Sequence, residues 1–178
     1  MAKRWQQVDS QVVGDFGVFS VRRTRSRSPR TGDVHEFHVL ELPCCVKVIP
    51  FTDDGRVVLV EQFRHAVERV TLEFPAGVVE DGEDPVRAAL RELEEETGYR
   101  AASAELLAEF DPDPAIQANS VKLIIAHGCT ADGKRNQDDG EDVAVRLARS
   151  EEIDELIRHG VIRHAAAISA WHLYRQKG

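Results

Sequence analysis

Gly77-Val78-Val79-Glu80-Asp81-Gly82-Glu83-Asp84-Pro85-Val86-Arg87-Ala88-Ala89-Leu90-Arg91-Glu92-Leu93-Glu94-Glu95-Glu96-Thr97-Gly98-Tyr99 reads as a glycine loop running into a short helix. Asp84 can cap free backbone N–H groups, and a proline at the first helical position loses no hydrogen bond. Gly98 supplies the stop. Between these two signals Val86, Leu90, Leu93 and Thr97 share one face, because residues three and four apart are helical neighbours. Glu92, Glu95 and Glu96 fall together on the adjoining face, Arg91 precedes Glu95 by one turn, and Glu83 precedes Arg87 by four. Like charges on successive turns repel by a few tenths of a kcal/mol per pair, roughly 0.2–0.5. A hard divalent cation reverses that sign, since carboxylate oxygens are its preferred ligands. The glycine loop can add a backbone oxygen, such as that of Ala76, to the same ion. A divalent-metal site and a plain acidic helix face both satisfy this spacing.

The surrounding composition bounds the answer. A chain of 178 residues, 42% hydrophobic and 30% charged, suits one folded domain with a proper core. The formal net charge of −8 argues against non-specific nucleic-acid binding. It suits both a soluble acidic surface and a protein that gathers carboxylates around a cation. Cys44, Cys45 and Cys129 have no metal spacing, and their odd number points to a reducing compartment. No apolar N-terminal run reads as a signal peptide and no segment is long enough to span a bilayer, so the expected location is the cytoplasm, away from membranes.

Upstream of the loop, residues 12 to 23 read as one strand, 28 to 33 as a turn, and Val34 to Leu42 as a second strand. Together they make an N-terminal antiparallel β unit. The run Arg22-Arg23-Thr24-Arg25-Ser26-Arg27 reads as a solvated hairpin edge, or as a contact to phosphate or a partner subunit. Val46 to Phe51 and Arg56 to Gln62 flank Thr52-Asp53-Asp54-Gly55, a hairpin pattern. Glu68 to Phe74 is a further strand. Downstream, Leu106 to Phe110, Val121 to Ala126 and Val143 to Ala148 are expected strands, and Asp132 to Asp142 is a long acidic loop. Ser150 is the expected N-cap of a helix ending at Gly160, and Ala165 to Arg175 forms a last helix with Ile168, Trp171 and Tyr174 in a stripe that suits a core or a dimer contact.

The motif in the central stretch resembles the signature of the Nudix hydrolases. Gly77, Glu83, Arg91-Glu92-Leu93, Glu95-Glu96 and Gly98 fill its fixed positions, and only Tyr99 stands where an aliphatic residue is commoner. The resemblance implies an α/β fold, the Nudix α/β/α sandwich with a mixed sheet, over residues 45–178, with residues 1–44 as an N-terminal β unit of the same domain that often swaps within a homodimer. It implies Mg²⁺ or Mn²⁺ held by Glu92, Glu95, Glu96 and the Ala76 carbonyl, with Arg91 orienting the glutamates and Glu83 assisting. Glu61-Gln62-Phe63-Arg64-His65 and Leu72-Glu73-Phe74-Pro75-Ala76-Gly77 look like the ADP-ribose and nucleotide-sugar pyrophosphatases of that superfamily. In that group the residues matching Arg64 and Glu73 lie at the substrate; a salt-bridged strand end is the simpler reading of the same pair. A late acidic loop often carries the general base, which makes Glu141 the candidate and Asp139 the next, against a reading as solvated loop carboxylates.

Pro114 fits the group's pattern, but Ala115 to Ser120 replaces the usual glycine-serine turn. The expected reaction is therefore Mg²⁺-dependent hydrolysis of ADP-ribose or a related nucleoside diphosphate sugar to a nucleoside monophosphate and a sugar phosphate. The alternatives are a nucleoside triphosphate or dinucleoside polyphosphate hydrolase, and a non-catalytic nucleotide-sugar binding module.

Overall fold

The structure is a computed structural model that describes residues 1–136 and 142–177. Chain contacts divide it into two compact units, Met1–Pro43 with Asp111–Ser120, and Cys44–Phe110 with Val121–Gly178.

In the first unit β1 (Gln6–Asp15), β2 (Ser20–Arg27) and β3 (Val34–Glu41) form an antiparallel sheet with β2 at its centre. The single strand expected over residues 12 to 23 is thus two strands. A turn interrupts it, closed by the Phe16 N–H donating to the Phe19 carbonyl at 3.0 Å. The arginine run is the central strand and no hairpin edge. Its pleat places Thr24 and Ser26 in buried positions, while the arginines pair with flanking acids: Arg22 with Glu41, Arg23 with Glu36 and Arg25 with Asp9. The apolar alternation that marks most half-buried strands is absent here, which is why the sequence reads as an edge. Residues 111–120, which the sequence reading put within 45–178, join this unit: the Leu40 N–H donates to Ile116 O and the Ala118 N–H to Leu40 O.

The second unit contains β4 (Cys45–Pro50), β5 (Arg56–Arg64), β6 (Arg69–Glu73), β7 (Ala76–Val78), α1 (Pro85–Thr97), β8 (Ser103–Phe110), β9 (Val121–His127), β10 (Val143–Arg149), α2 (Ser150–Arg158) and α3 (Ala165–Lys177). A four-stranded mixed sheet runs β7-β4-β9-β8, with β4 and β9 parallel. A second sheet runs β10-β5-β6, antiparallel throughout. The Asp54-Gly55 turn forms as expected, with Gly55 N–H bonded to Thr52 O, but the strands on either side separate into the two sheets after a single bridge between Phe51 and Val57. Both runs are apolar on both faces, so each finds a full sheet environment of its own.

Strand alternation decides which layer each side chain joins. Val46 and Val48 on β4, with Ile124 and Ala126 on β9, pack against Ala88, Ala89 and Leu93 of α1. Ile49, Leu123 and Ile125 face the other way, toward Val57, Leu59, Leu72 and Phe74 and the helical residues Ile153, Ala167, Ala170 and Trp171. The mixed sheet is therefore covered on both sides. Trp171 Nε1 donates to Asp154 Oδ1 at 2.8 Å and ties α3 to α2. Of the expected α3 stripe, Trp171 is core and Ile168 is exposed. Arg149, not Ser150, caps α2, its N–H donating to Glu152 Oε2 at 2.6 Å; His159 rather than Gly160 is the C-cap.

Candidate active site

α1 begins and ends as its sequence dictates. Asp84 Oδ1 accepts the Val86 and Arg87 N–H groups at 3.0 and 3.1 Å, Pro85 opens the helix, and Gly98 closes it at φ 72°, a left-handed conformation that glycine adopts without strain. The helix is held beside β7, which is docked by short backbone bonds. Val48 N–H donates to Pro75 O and Val79 N–H to Cys44 O, each at 2.9 Å. This brings Gly77 directly onto Glu92. A Cβ built on Gly77 would lie 1.9 Å from the Glu92 carboxyl carbon, so any side chain there would displace that carboxylate.

Arg91 organises the carboxylates. Its Nε and Nη2 donate to the two oxygens of Glu83 at 3.1 and 3.0 Å, Nη1 to Glu92 Oε1 at 2.8 Å and Glu95 Oε2 at 3.0 Å, and Nη2 also to Val78 O at 3.0 Å. A guanidinium has five N–H donors, and these contacts use every one. Glu83 therefore pairs with Arg91, eight residues away, and not with Arg87 as the helical spacing suggests; Glu83 lies in the loop before the helix, where the four-residue rule does not apply. The Arg91 hydrogen bonds, with one that the carboxylate accepts from the Glu80 N–H of the same loop, hold the Glu83 carboxyl below its ordinary range. Hydrogen bonding to Glu83 foremost, then to Glu92 and Glu95, pushes the Arg91 guanidinium further up. Glu96 is buried at 4% exposure and accepts the Ala76 N–H at 3.2 Å.

The C-terminal turn of α1 carries Glu94, Glu95 and Glu96 and no basic residue of its own. Cations arrive from later in the chain, as the negative end of a helix favours. Arg100 pairs with Glu94 at 2.6 Å, and Arg135 Nε donates to the Glu96 carbonyl at 3.2 Å while its Nη2 donates to the Val143 carbonyl. Asn136 N–H donates to Glu95 O and Gly133 N–H to Gly98 O. Glu141 and Asp139 lie outside the described residues.

A second cluster surrounds Glu73, at the end of β6. Arg64 binds both its oxygens, Nε to Oε1 at 2.9 Å and Nη2 to Oε2 at 3.2 Å. Thr71 Oγ1 donates to Oε1 at 2.7 Å, His164 Nδ1 lies 2.6 Å from Oε2, and Lys47 Nζ lies 3.7 Å from Oε2 and donates to Phe74 O at 3.3 Å. Burial alone would raise the Glu73 pKa, but hydrogen bonds to His164 and Arg64 and the charge of Lys47 override it and hold the carboxyl well below its usual range. Burial likewise pulls Lys47 down, opposed by Glu73. Arg64 and Glu73, which the sequence pairs with substrate, are thus also the salt-bridged strand end of the simpler reading.

Sequence reading missed Lys47, Thr71, His164 and Arg135. Only Lys47 carried a local signal, a lone charge inside the apolar run Cys45–Pro50.

The donor set of α1 suits a hard cation, being carboxylate oxygens on adjacent turns. Among the described residues no group of three or more His, Cys, Asp or Glu is gathered so as to hold a metal ion; Arg91 holds Glu92 and Glu95 instead.

A model of the NUDIX domain family matches residues 42–171. An ADP-ribose pyrophosphatase of Bacillus subtilis (strain 168) is 35% identical over 127 residues, 71% of this chain and 69% of that protein. A methanol dehydrogenase activator of Bacillus methanolicus is 40% identical over 97 residues, 54% of this chain and 52% of that protein. The chain thus spans about two thirds of the first relative and half of the second. A crystal structure of an ADP compounds hydrolase superposes with TM-score 0.86 over 99% of this chain and 95% of that one at 19% identity, a likeness of fold.

Proposed function

Because this chain belongs to the NUDIX family, we propose that it hydrolyses the pyrophosphate bond of ADP-ribose or a related nucleoside diphosphate sugar, giving a nucleoside monophosphate and a sugar phosphate. The carrying observation is the contact of Gly77 with Glu92 beside an Arg91 that binds Glu83, Glu92 and Glu95 together. A plain acidic helix has no use for a glycine that makes room for one carboxylate, nor for an arginine that gives four of its five donors to three carboxylates and the fifth to the Val78 carbonyl. The 35% identity to an ADP-ribose pyrophosphatase supports the substrate class.

In this reading Glu92, Glu95 and Glu96, with the Ala76 carbonyl, hold Mg²⁺ or Mn²⁺. Bound there, the metal neutralises phosphate charge and acidifies water. Arg91 keeps Glu92 and Glu95 turned toward the loop. Arg64, anchored on Glu73, offers a guanidinium to a phosphate oxygen. Glu141 is the general base. Support for that role comes from its flanks, since Asn136 and Arg135 are bonded to the backbone carbonyls of Glu95 and Glu96.

The protein works as a homodimer through its N-terminal sheet and the β1–β2 turn, where Val8, Val12, Val13, Phe16, Val18 and Phe37 are exposed. Among the described residues no helix is long and apolar enough to cross a membrane; Cys44, Cys45 and Cys129 are in no disulfide, which supports a reducing, cytoplasmic setting.

A substrate panel with Mg²⁺ tests this: ADP-ribose and other nucleoside diphosphate sugars against nucleoside triphosphates and dinucleoside polyphosphates. Turnover of the first group, abolished by EDTA and restored by Mg²⁺, is expected. Folded protein that turns over only the triphosphates, or nothing, removes the proposal.

A further inference from the structure

Around Glu73 more basic groups converge than a structural tie needs. The acid is 2% exposed, and its Oε2 is shared by Arg64 Nη2, His164 Nδ1 and Lys47 Nζ. One buried carboxylate thus faces three basic groups, which come from β4, β5 and the residue preceding α3. The Lys47 side chain is only 3% exposed, so it serves the interior. Arg64 and His164 differ: their side chains are 41% and 42% exposed although each is fixed on a buried acid.

That combination, a rigid inner end and an open outer face, is how a protein presents a donor to a ligand. An ordinary interior ion pair would close over both partners, and an ordinary surface pair would leave the acid exposed too. The Nδ1 contact also fixes the ring: with Nδ1–H given to Glu73, Nε2 is the nitrogen left to point away from it. Because Arg64 and His164 bond the same oxygen, their outer faces are neighbours.

We propose that His164 contacts the diphosphate of the substrate beside Arg64, and that Glu73 is the positioning residue that sets both. The inference rests on the function proposed above. Arg64 recognises the anion at any pH. His164 adds a full charge only when protonated, so it makes substrate affinity pH-dependent. Among the described residues the charged groups facing its ring are Glu73, Arg64 and Lys47, and a diphosphate arriving there adds negative charge.

The test is KM and kcat for ADP-ribose with Mg²⁺ across about pH 5 to 8, where histidine side chains titrate, in the wild type, H164Q and H164N. For the wild type, KM rises with pH. At the acid end H164Q raises KM about tenfold, the loss of one charge-assisted hydrogen bond, and flattens the profile. H164N does the same, while kcat in both stays within about threefold. Either variant with the wild-type KM and wild-type pH slope overturns the inference, because a purely structural tie would move stability alone. Should both variants melt far below the wild type, the imidazole ¹H–¹⁵N spectrum of the wild-type protein decides. ADP-ribose added with the metal chelated shifts the His164 Nε2 resonance if the inference holds, and an unmoved resonance overturns it. A wild type that neither binds nor hydrolyses any nucleotide sugar overturns the proposed function itself, an outcome distinct from turnover that is indifferent to His164.

Discussion

Gly77→Ala separates stability from chemistry in this fold. The added methyl would sit 1.9 Å from Glu92 Cδ and 2.1 and 2.3 Å from its two oxygens. Carbon atoms in contact sit about 3.5–4.0 Å apart, so the carboxyl group must retreat by about 1.5 Å or more. The retreat is cheap for the fold, because the displaced atoms are the far end of a flexible side chain; about 1 kcal/mol is the expected cost, the low end of overpacking. It is expensive for function. Glu92 Oε1 is 2.8 Å from Arg91 Nη1, and a movement of that size breaks the bond and turns the carboxylate away from Glu95 and Glu96. Misplacement of a catalytic group by about 1 Å costs on the order of 100-fold in rate. The assay is ADP-ribose turnover with saturating Mg²⁺, paired with thermal melting of the same samples. The expected result is kcat down about 100-fold with a melting temperature lowered by only a few degrees, about 2–5 °C. A variant that keeps kcat within threefold refutes the role given to Glu92. So does a loss of activity that tracks a loss of folded protein, since the glycine would then serve packing alone.

Three further outcomes follow from other contacts. Glu73→Gln leaves Lys47 and Arg64 without their counter-charge and should cost about 3 kcal/mol near neutral pH, as breaking a buried pair does. Because burial's upward push on Glu73 is overridden by His164, Arg64 and Lys47, the folded pKa lies below the unfolded one. The stabilisation is then present above the unfolded carboxylate value of about 4.3 and is lost as pH falls toward the folded value, so the melting-temperature gap between wild type and variant narrows below about pH 4. A gap that widens in acid contradicts this. Arg135→Met removes the donors to the Glu96 and Val143 carbonyls and should lower stability by about 1–2 kcal/mol and kcat more than it changes KM, which steady-state kinetics and denaturant melts will report. Asp84→Ala removes a helix cap bonded only to the Val86 and Arg87 N–H groups and should cost about 1 kcal/mol in a urea melt with kcat and KM unchanged.

How far the sequence could be read depends on the range of the forces involved. Asp84, Pro85 and Gly98 act on their own backbone neighbours, so α1 could be read almost to the residue. The Asp54-Gly55 turn is equally local and formed as read. The pairing beyond it did not, because β4 chose β9 and β7 as neighbours, more than twenty residues away in sequence, over the adjacent β5. The Arg22–Arg27 run was misjudged for a related reason. Its partners Asp9, Glu36 and Glu41 lie on the neighbouring strands β1 and β3, and only they turn a charged segment into a central strand.

The two charge clusters divide along the same line. Arg91 and its three glutamates lie between positions 83 and 95, so one helix and the loop before it assemble them, and the spacing exposes the arrangement. Glu73 is built by the same physics, one charge whose every partner is supplied, but its partners stand at 47, 64, 71 and 164 and meet only after β4, β5, β6 and α3 have packed. On the function proposed above, reaction chemistry is encoded in a contiguous stretch, and recognition of the substrate in contacts that depend on the whole second unit. Such an arrangement lets recognition change by substitution at one distant position, such as 164, without disturbing the carboxylates of α1. H164Q and G77A should therefore act additively on kcat/KM, as independent sites do to within about 0.5 kcal/mol. A double variant whose loss departs from the product of the singles by more than about threefold would show that the two clusters form one coupled unit.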